Sequence, residues 1–187
     1  MSNFISKDSW KDIVRGYEYH AAIPYPTDTK RPLTFFIPDS SDPEKGILHN
    51  DMGDFSAQLV NGSMRAIEQK IIMTVKPRKV VVLTSDEINQ NNDFEYILVA
   101  PINTIKPQEK QKNWYQLLKE DQHPIFVYIP FANYERYVDL TQTTTIHKSL
   151  LLKKLNKVNP DRIDALEENL LHCLSLGILE DTEEIVD

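Results

Sequence analysis

Apolar positions in this chain gather in short runs more often than in long helical stripes. The clearest run is Val80-Val81-Val82-Leu83, four branched residues between Pro77 and the polar pair Ser85-Asp86. A run of that kind reads as a strand buried on both faces. Tyr96-Ile97-Leu98-Val99-Ala100 reads as a second, ended by Pro101. Val81 and Leu83 are then expected to share one core with Leu98 and Ala100 on an adjacent strand. Leu33 to Ile37 forms an earlier strand, stopped by Pro38 and the polar loop 39–43. The stretch 47–75 reads as two strands around a turn at Asn61-Gly62-Ser63, and further strands fall at 125–129 and 137–140.

Helical spacing is found in three places. Trp10, Ile13, Val14 and Tyr17 recur at intervals of three and four behind a capping Asp8, and Pro24 and Pro26 close that element. A polar insertion, 106–123, rich in Lys and Gln, carries Trp114, Leu117 and Leu118 in a short helix. The last helix has Asn159 as N-cap, Pro160 in its first turn and Gly177 as its stop, with Ile163, Leu166, Leu170 and Leu174 on one face. No long repeat is present. The run 30–37 echoes 76–83, as two strands entered through basic residues.

A length of 187 residues suits one domain with an N-terminal extension. With 41% hydrophobic residues, such a chain can bury a core without a disulfide or structural metal. The lone Cys173 excludes an internal disulfide framework. Charge arrives before any apolar run at the N-terminus, and no apolar stretch approaches the roughly 20 residues that span a bilayer. A cytoplasmic protein without membrane contact is expected. No metal site or cofactor is expected either: the histidines are scattered, Cys173 follows His172 directly, and no glycine-rich phosphate loop occurs.

The net charge of −7 argues on its own against a nucleic-acid partner. Its distribution changes that picture. Residues 61–119 carry nine Lys and Arg against six Asp and Glu, whereas the last eight residues carry five acidic groups and no basic one. The middle third is locally basic beside an acidic tail.

Four segments in order resemble the MazF/PemK toxin family. Pro77-Arg78-Lys79-Val80-Val81-Val82-Leu83-Thr84 is similar to the family strand that begins Arg-Pro. Ile97-Leu98-Val99-Ala100-Pro101-Ile102-Asn103-Thr104 is similar to the next, which ends Pro-Ile-Thr or Pro-Leu-Thr. Tyr137 to Lys148 resembles the segment that reads roughly Asp/Glu-Gln-x-Arg-Thr-Ile-Asp-Lys. The terminal helix falls where the family closes. The family's first strand has two candidate counterparts, Gly53-Asp54-Phe55 and Arg15-Gly16-Tyr17-Glu18-Tyr19. The resemblance implies a mainly β fold with helices: an SH3-like small β-barrel of the MazF/CcdB type with a C-terminal helix, spanning 46–179. Residues 1–45 then form a helical or irregular N-terminal extension, and 180–187 an acidic tail.

The resemblance further implies a metal-independent endoribonuclease toxin of a bacterial type II toxin–antitoxin system, a homodimer inhibited by a cognate antitoxin. Its substrate would be single-stranded RNA, cut through the ribose 2′-hydroxyl. Such a reaction needs a group that stabilises a dianionic phosphorane, and a guanidinium does this well, since it stays charged and grips two oxygens. Arg78 stands at the family's catalytic arginine. Asn103 stands where the family has Thr or Ser, with Thr104 next. Thr141 stands where PemK-like members carry Asp; Asp139, two residues earlier on the same strand face, could substitute for it but reads more simply as a solvent-facing strand residue. His147 replaces another Asp. Arg65, Lys70, Lys76 and Lys79 are candidate RNA contacts, and Tyr96 or Trp114 a candidate base-stacking surface. The departures at Asn103 and Thr141 keep open a catalytically inactive MazF-fold module that binds nucleic acid or protein. A gyrase poison of the related CcdB type is a third reading.

Overall fold

Strand β8 (Tyr96–Thr104) sets the architecture, because three strands pair with it. In the computed structural model, which describes residues 4–24 and 32–176, one edge of β8 meets β7 (Val75–Val82) antiparallel, with Val80, Val81 and Val82 opposite Pro101, Ala100 and Val99. The other edge meets β11 (Thr144–His147) along 96–99 and β10 (Arg136–Asp139) along 102–104. β9 (Phe126–Tyr128) extends the sheet beyond β10; β1 (Tyr17–Pro24) and β12 (Leu151–Lys157) extend it beyond β7. Pro101 does not end the strand. Ile105 donates its N–H to Glu135, so alternate residues 103 and 101 address that same edge. Position 101 falls there between the last β11 partner and the first β10 partner, where a missing N–H costs little.

The chain divides into two compact units, one built from residues up to Ala22 and from Pro77 onward, the other from Ile23 to Lys76. In the smaller unit, β2 (Leu33–Pro38) pairs antiparallel with β3 (Gly46–Asp51) and β6 (Lys70–Ile71). The hairpin β4 (Gln58–Val60) and β5 (Ser63–Arg65) turns on Asn61-Gly62, at φ 51° and 79°. That is the type I′ geometry for which Asn-Gly is suited. The turn lies where the sequence places it, but the 47–75 stretch also holds β6 and most of β3.

In the larger unit, Val81, Leu83, Ala100, Ile102, Val127, Val138 and Leu140 form one buried cluster with Val158 and Leu166, and Leu98 packs against it. The expected core is present, and residues from both ends of the sheet meet in it. The sheet curls to allow this. Glu18 on β1 and Arg136 on β10 are separated in strand order by β7 and β8, roughly 14 Å on a flat sheet. Yet Arg136 Nη1 and Nη2 donate to Glu18 Oε2 and Oε1 at 2.8 and 2.6 Å, both side chains buried.

The N-terminal segment departs from the helix read in its sequence. A 3-10 turn covers only Lys7–Asp12, entered from Ser6 rather than from a capping Asp8, and Tyr17 to Pro24 is strand. Gly16 makes the break: at φ +73° its N–H bonds Val82 O, and a Cβ there would lie 2.7 Å from Ile163. β1 also decides between the two candidate first strands. Tyr17–Tyr19 joins the sheet, while Gly53-Asp54-Phe55 lies in no strand. Residues up to Ala22 group with the main sheet unit, and 46–76 with the smaller one.

Three helices complete the main unit. α3 (Pro160–Cys173) is capped by Asn159, which accepts from Asp161 N, and buries Leu166 with Ile163 and Leu170 against the core. Leu174 is exposed past its end; Gly177 and the acidic tail lie outside the described residues. α1 (Asp86–Gln90) is held by the buried Lys148, whose Nζ donates to Ile88 O at 2.9 Å and Asn91 O at 2.7 Å. α2 (Asn113–Lys119) supplies the helix expected in the 106–123 insertion, and Glu135 fastens it. That carboxylate pairs with Lys110 and Lys119 and accepts from the Tyr115 and Tyr128 hydroxyls at 2.8 and 3.2 Å. Lys110 first, then Tyr115, hold its pKa down to about 2. Among the described residues no helix is long and apolar enough to cross a membrane.

Two predictions follow from these contacts. Arg136→Met should destabilise the fold by about 3–5 kcal/mol in urea unfolding, since it leaves Glu18 buried without a counter-charge. The double change Glu18→Leu with Arg136→Met should cost less than either single change; equal or additive losses would contradict this account. Glu135 is depressed in the fold, so its stabilisation is present above the ordinary 4.5 and is lost as pH falls towards about 2. Glu135→Gln should therefore lower the urea midpoint at pH 6, with the difference closing by pH 2. A difference independent of pH would exclude this role.

Candidate active site

Two of the three candidate catalytic residues lie just beyond one end of the β7–β8 ladder. Its last pair is Val80 with Pro101, and Arg78 and Asn103 each follow two residues past it, with the same alternation. On the other edge of β8, Tyr137 lies opposite Asn103, and Tyr128 opposite Tyr137. Residues directly opposite share a face, about 5 Å apart at Cβ. Asn103, Tyr137 and Tyr128 thus form one row across three strands, on the face away from the Ile102–Val138–Val127 core, and alternation along β7 turns Arg78 to that same face. Arg78 and Asn103 are both half-buried. β7 emerges there from its fully buried portion, Val80 to Val82.

Thr104 is not part of that row. It remains within β8, so alternation turns it to the opposite face, where its partner is Arg136. Lys79 likewise alternates away from Arg78 and is exposed. Arg65 in β5, Lys70 in β6 and Lys76 at the start of β7 are exposed and belong to the smaller unit.

Asp139 is not a solvent-facing strand residue. It is buried, and its carboxylate is fully engaged: Oδ1 accepts from Thr141 N at 3.0 Å and Thr141 Oγ1 at 2.5 Å, Oδ2 from Gln142 Nε2 at 2.7 Å. It closes the turn after β10 instead of presenting a base. His147 lies on β11 at the far end of β8, opposite Tyr96. Its Nδ1 meets Ser149 Oγ at 2.6 Å and its ring meets Trp10 and Tyr96 edge-on. Tyr96 itself is seven residues from Asn103 along β8, about 24 Å away.

Trp114 lies near the row. Its ring centroid is 5.4 Å from that of Tyr137 and 5.7 Å from that of Phe126, and His123 stacks flat on Phe126 at 4.2 Å. His123 accepts from Phe126 N through Nδ1 at 3.0 Å, and burial lowers its pKa, so the ring stays neutral with its proton on Nε2. Burial likewise raises the pKa of Tyr137, which remains a phenol. This face therefore offers a permanent cation, a carboxamide and an aromatic border, suited to gripping a phosphate. The sequence marks Tyr137 as a strand residue but not as part of a site, because its place there comes from pairing with Asn103; the parity it shares with Asp139 is the available signal.

Comparison with known proteins bears on this geometry. A solved mycobacterial endoribonuclease in complex with its cognate antitoxin aligns with 89% of this chain and 98% of its own, at a TM-score of 0.49 and 11% identity. No curated protein matches the sequence. The profile of the PemK-like, MazF-like toxins of type II toxin–antitoxin systems matches residues 64–174, which takes in every strand of the row. That match spans more than half of the sequence, and the chain belongs to this toxin family.

Proposed function

We propose that this chain is an endoribonuclease toxin that cuts single-stranded RNA through the ribose 2′-hydroxyl. The observation that carries the reading is the family match across the strands that hold Arg78 and Asn103, each two residues past the last β7–β8 pair. In the reaction the 2′-oxygen forms a bond to phosphorus, the bond from phosphorus to the 5′-oxygen breaks, and the proton lost by the nucleophile is matched by one gained by the leaving group. Arg78 holds the developing charge on the equatorial oxygens, and the Asn103 carboxamide adds a donor. A guanidinium in that place supplies the positive charge, so the step is drawn without a metal. Lys79 adds a phosphate contact beside Arg78 in the main unit, and Arg65, Lys70 and Lys76 are RNA contacts of the smaller unit taken by itself. A cognate antitoxin, a homodimeric state and a cytoplasmic site of action complete the reading.

Asn103 and the closed Asp139–Thr141 turn favour a second reading, a module that binds RNA without cutting it. Asn103 has no hydroxyl to exchange a proton, and Asp139 has no oxygen to spare.

Purified protein is expected to cleave single-stranded RNA in EDTA, leaving a 2′,3′-cyclic phosphate and a 5′-hydroxyl, while a 2′-deoxy substitution at the cut site blocks cleavage. Arg78→Ala should lower kcat by about 100-fold or more with the fold intact, and Arg78→Lys should restore little, because an ammonium lacks the bidentate grip. Salt-dependent binding of RNA with no cleavage across a broad panel of sequences would select the second reading.

A further inference from the structure

We infer that the insertion between β8 and β9 carries a nucleobase subsite, with Trp114 as the surface on which one base beside the cleaved phosphate stacks. The inference rests on the ribonuclease reading above and names how that site selects its substrate. The geometry begins at the row. Asn103 and Tyr137 are one step of about 5 Å apart, Arg78 follows two residues past the last β7–β8 pair on the neighbouring strand, and the Trp114 ring lies 5.4 Å from that of Tyr137. A strand of RNA whose phosphate sits on Arg78 reaches Trp114 within a nucleotide or two. Tyr96, the other aromatic suggested by the sequence, is at the wrong end of β8.

The indole is held, yet part of it faces solvent. Phe126 and His123 both meet it at 83°, Tyr137 at 54°, and Leu118 anchors α2 with its side chain fully buried. Trp114 itself is half-buried, which leaves ring surface to a ligand. A ring fixed by its neighbours loses little rotamer freedom when a base stacks on it. The flanking charges suit RNA as well. Lys110 and Lys119 are occupied with Glu135, but Lys106 and Lys112, on the approach to Trp114, are exposed. A stacking ring beside lysines that can follow a backbone is the usual composition of a single-strand groove.

Fluorescence and cleavage test this separately. In a Trp10→Phe chain Trp114 is the sole indole, since the protein has two tryptophans. A 2′-O-methyl oligoribonucleotide, which cannot be cut, should quench its emission saturably, and an abasic version of the same backbone should not. Trp114→Leu, with Trp10 retained, should weaken binding by about 5- to 100-fold. That loss should appear mainly in KM, and the choice of cut sites in a mixed-sequence RNA should shift; Trp114→Phe should restore both. A purely structural tryptophan predicts lower thermal stability with unchanged cut sites and KM, and that result, or cleavage without any quenching, overturns the inference. Quenching by a protein that never cleaves would uphold the subsite and sink the ribonuclease reading instead. The absence of both effects would sink both.

Discussion

Arg136 sits in the interior of the main unit with its guanidinium forked onto Glu18, and the two residues come from strands that are not neighbours in the sheet. A buried pair of this kind adds little net stability over an apolar pair of the same volume, because both charges must be stripped of water. Its effect is on specificity. If β10 slipped by one residue relative to β8, Arg136 would turn outward and leave a carboxylate buried without a partner. The curl of the sheet and the register of β10 are thus tied to a single contact between β1 and β10.

That tie reaches the candidate site through alternation of side chains. Arg136 faces inward opposite Thr104, so Tyr137 must face outward opposite Asn103, and Arg78 outward on the next strand. The inner face of the same residues, Ala100, Ile102, Val138 and Val127, fills the core. Core and site are two sides of one register. A substitution that loosens the core would then disturb the candidate site without touching it, while Thr104, next in sequence to Asn103, is excluded from the row by that parity.

What was legible in the sequence was local. The branched run at Val80–Leu83, the Asn-Gly hairpin, the Asn159 cap and the short helix around Trp114 each carry their signal within a few residues, and each is found. The failures concern what depends on distant partners. Trp10, Ile13 and Tyr17 have helical spacing, but pairing with β12 and the left-handed Gly16 impose a strand from Tyr17 onward. Pro101 reads as a terminator until the gap in the second ladder is known. Asp139 reads as a surface carboxylate until Thr141 and Gln142 close on it. Arg78 and Asn103 are legible through family motifs, whereas the pairing of Asn103 with Tyr137 depends on strand order.

The departures from the family pattern also have a structural logic. An Asp at position 141 would set a second carboxylate against Asp139, whose oxygens here accept from the Thr141 amide and hydroxyl. Thr141 thus makes this position part of a closed turn. On the ribonuclease reading this separates two contributions of comparable size. Stabilisation of developing charge by a placed donor is worth about 10²- to 10³-fold, and general acid–base assistance about 10²- to 10⁴-fold. Arg78 and Asn103 retain the first. The side chains around them, a neutral His123, a phenolic Tyr137 and an engaged Asp139, offer little of the second. A nuclease built this way leans on electrostatic grip and on substrate positioning, and the ordered wall of Trp114 and Tyr137 beside the grip is where such positioning would be supplied.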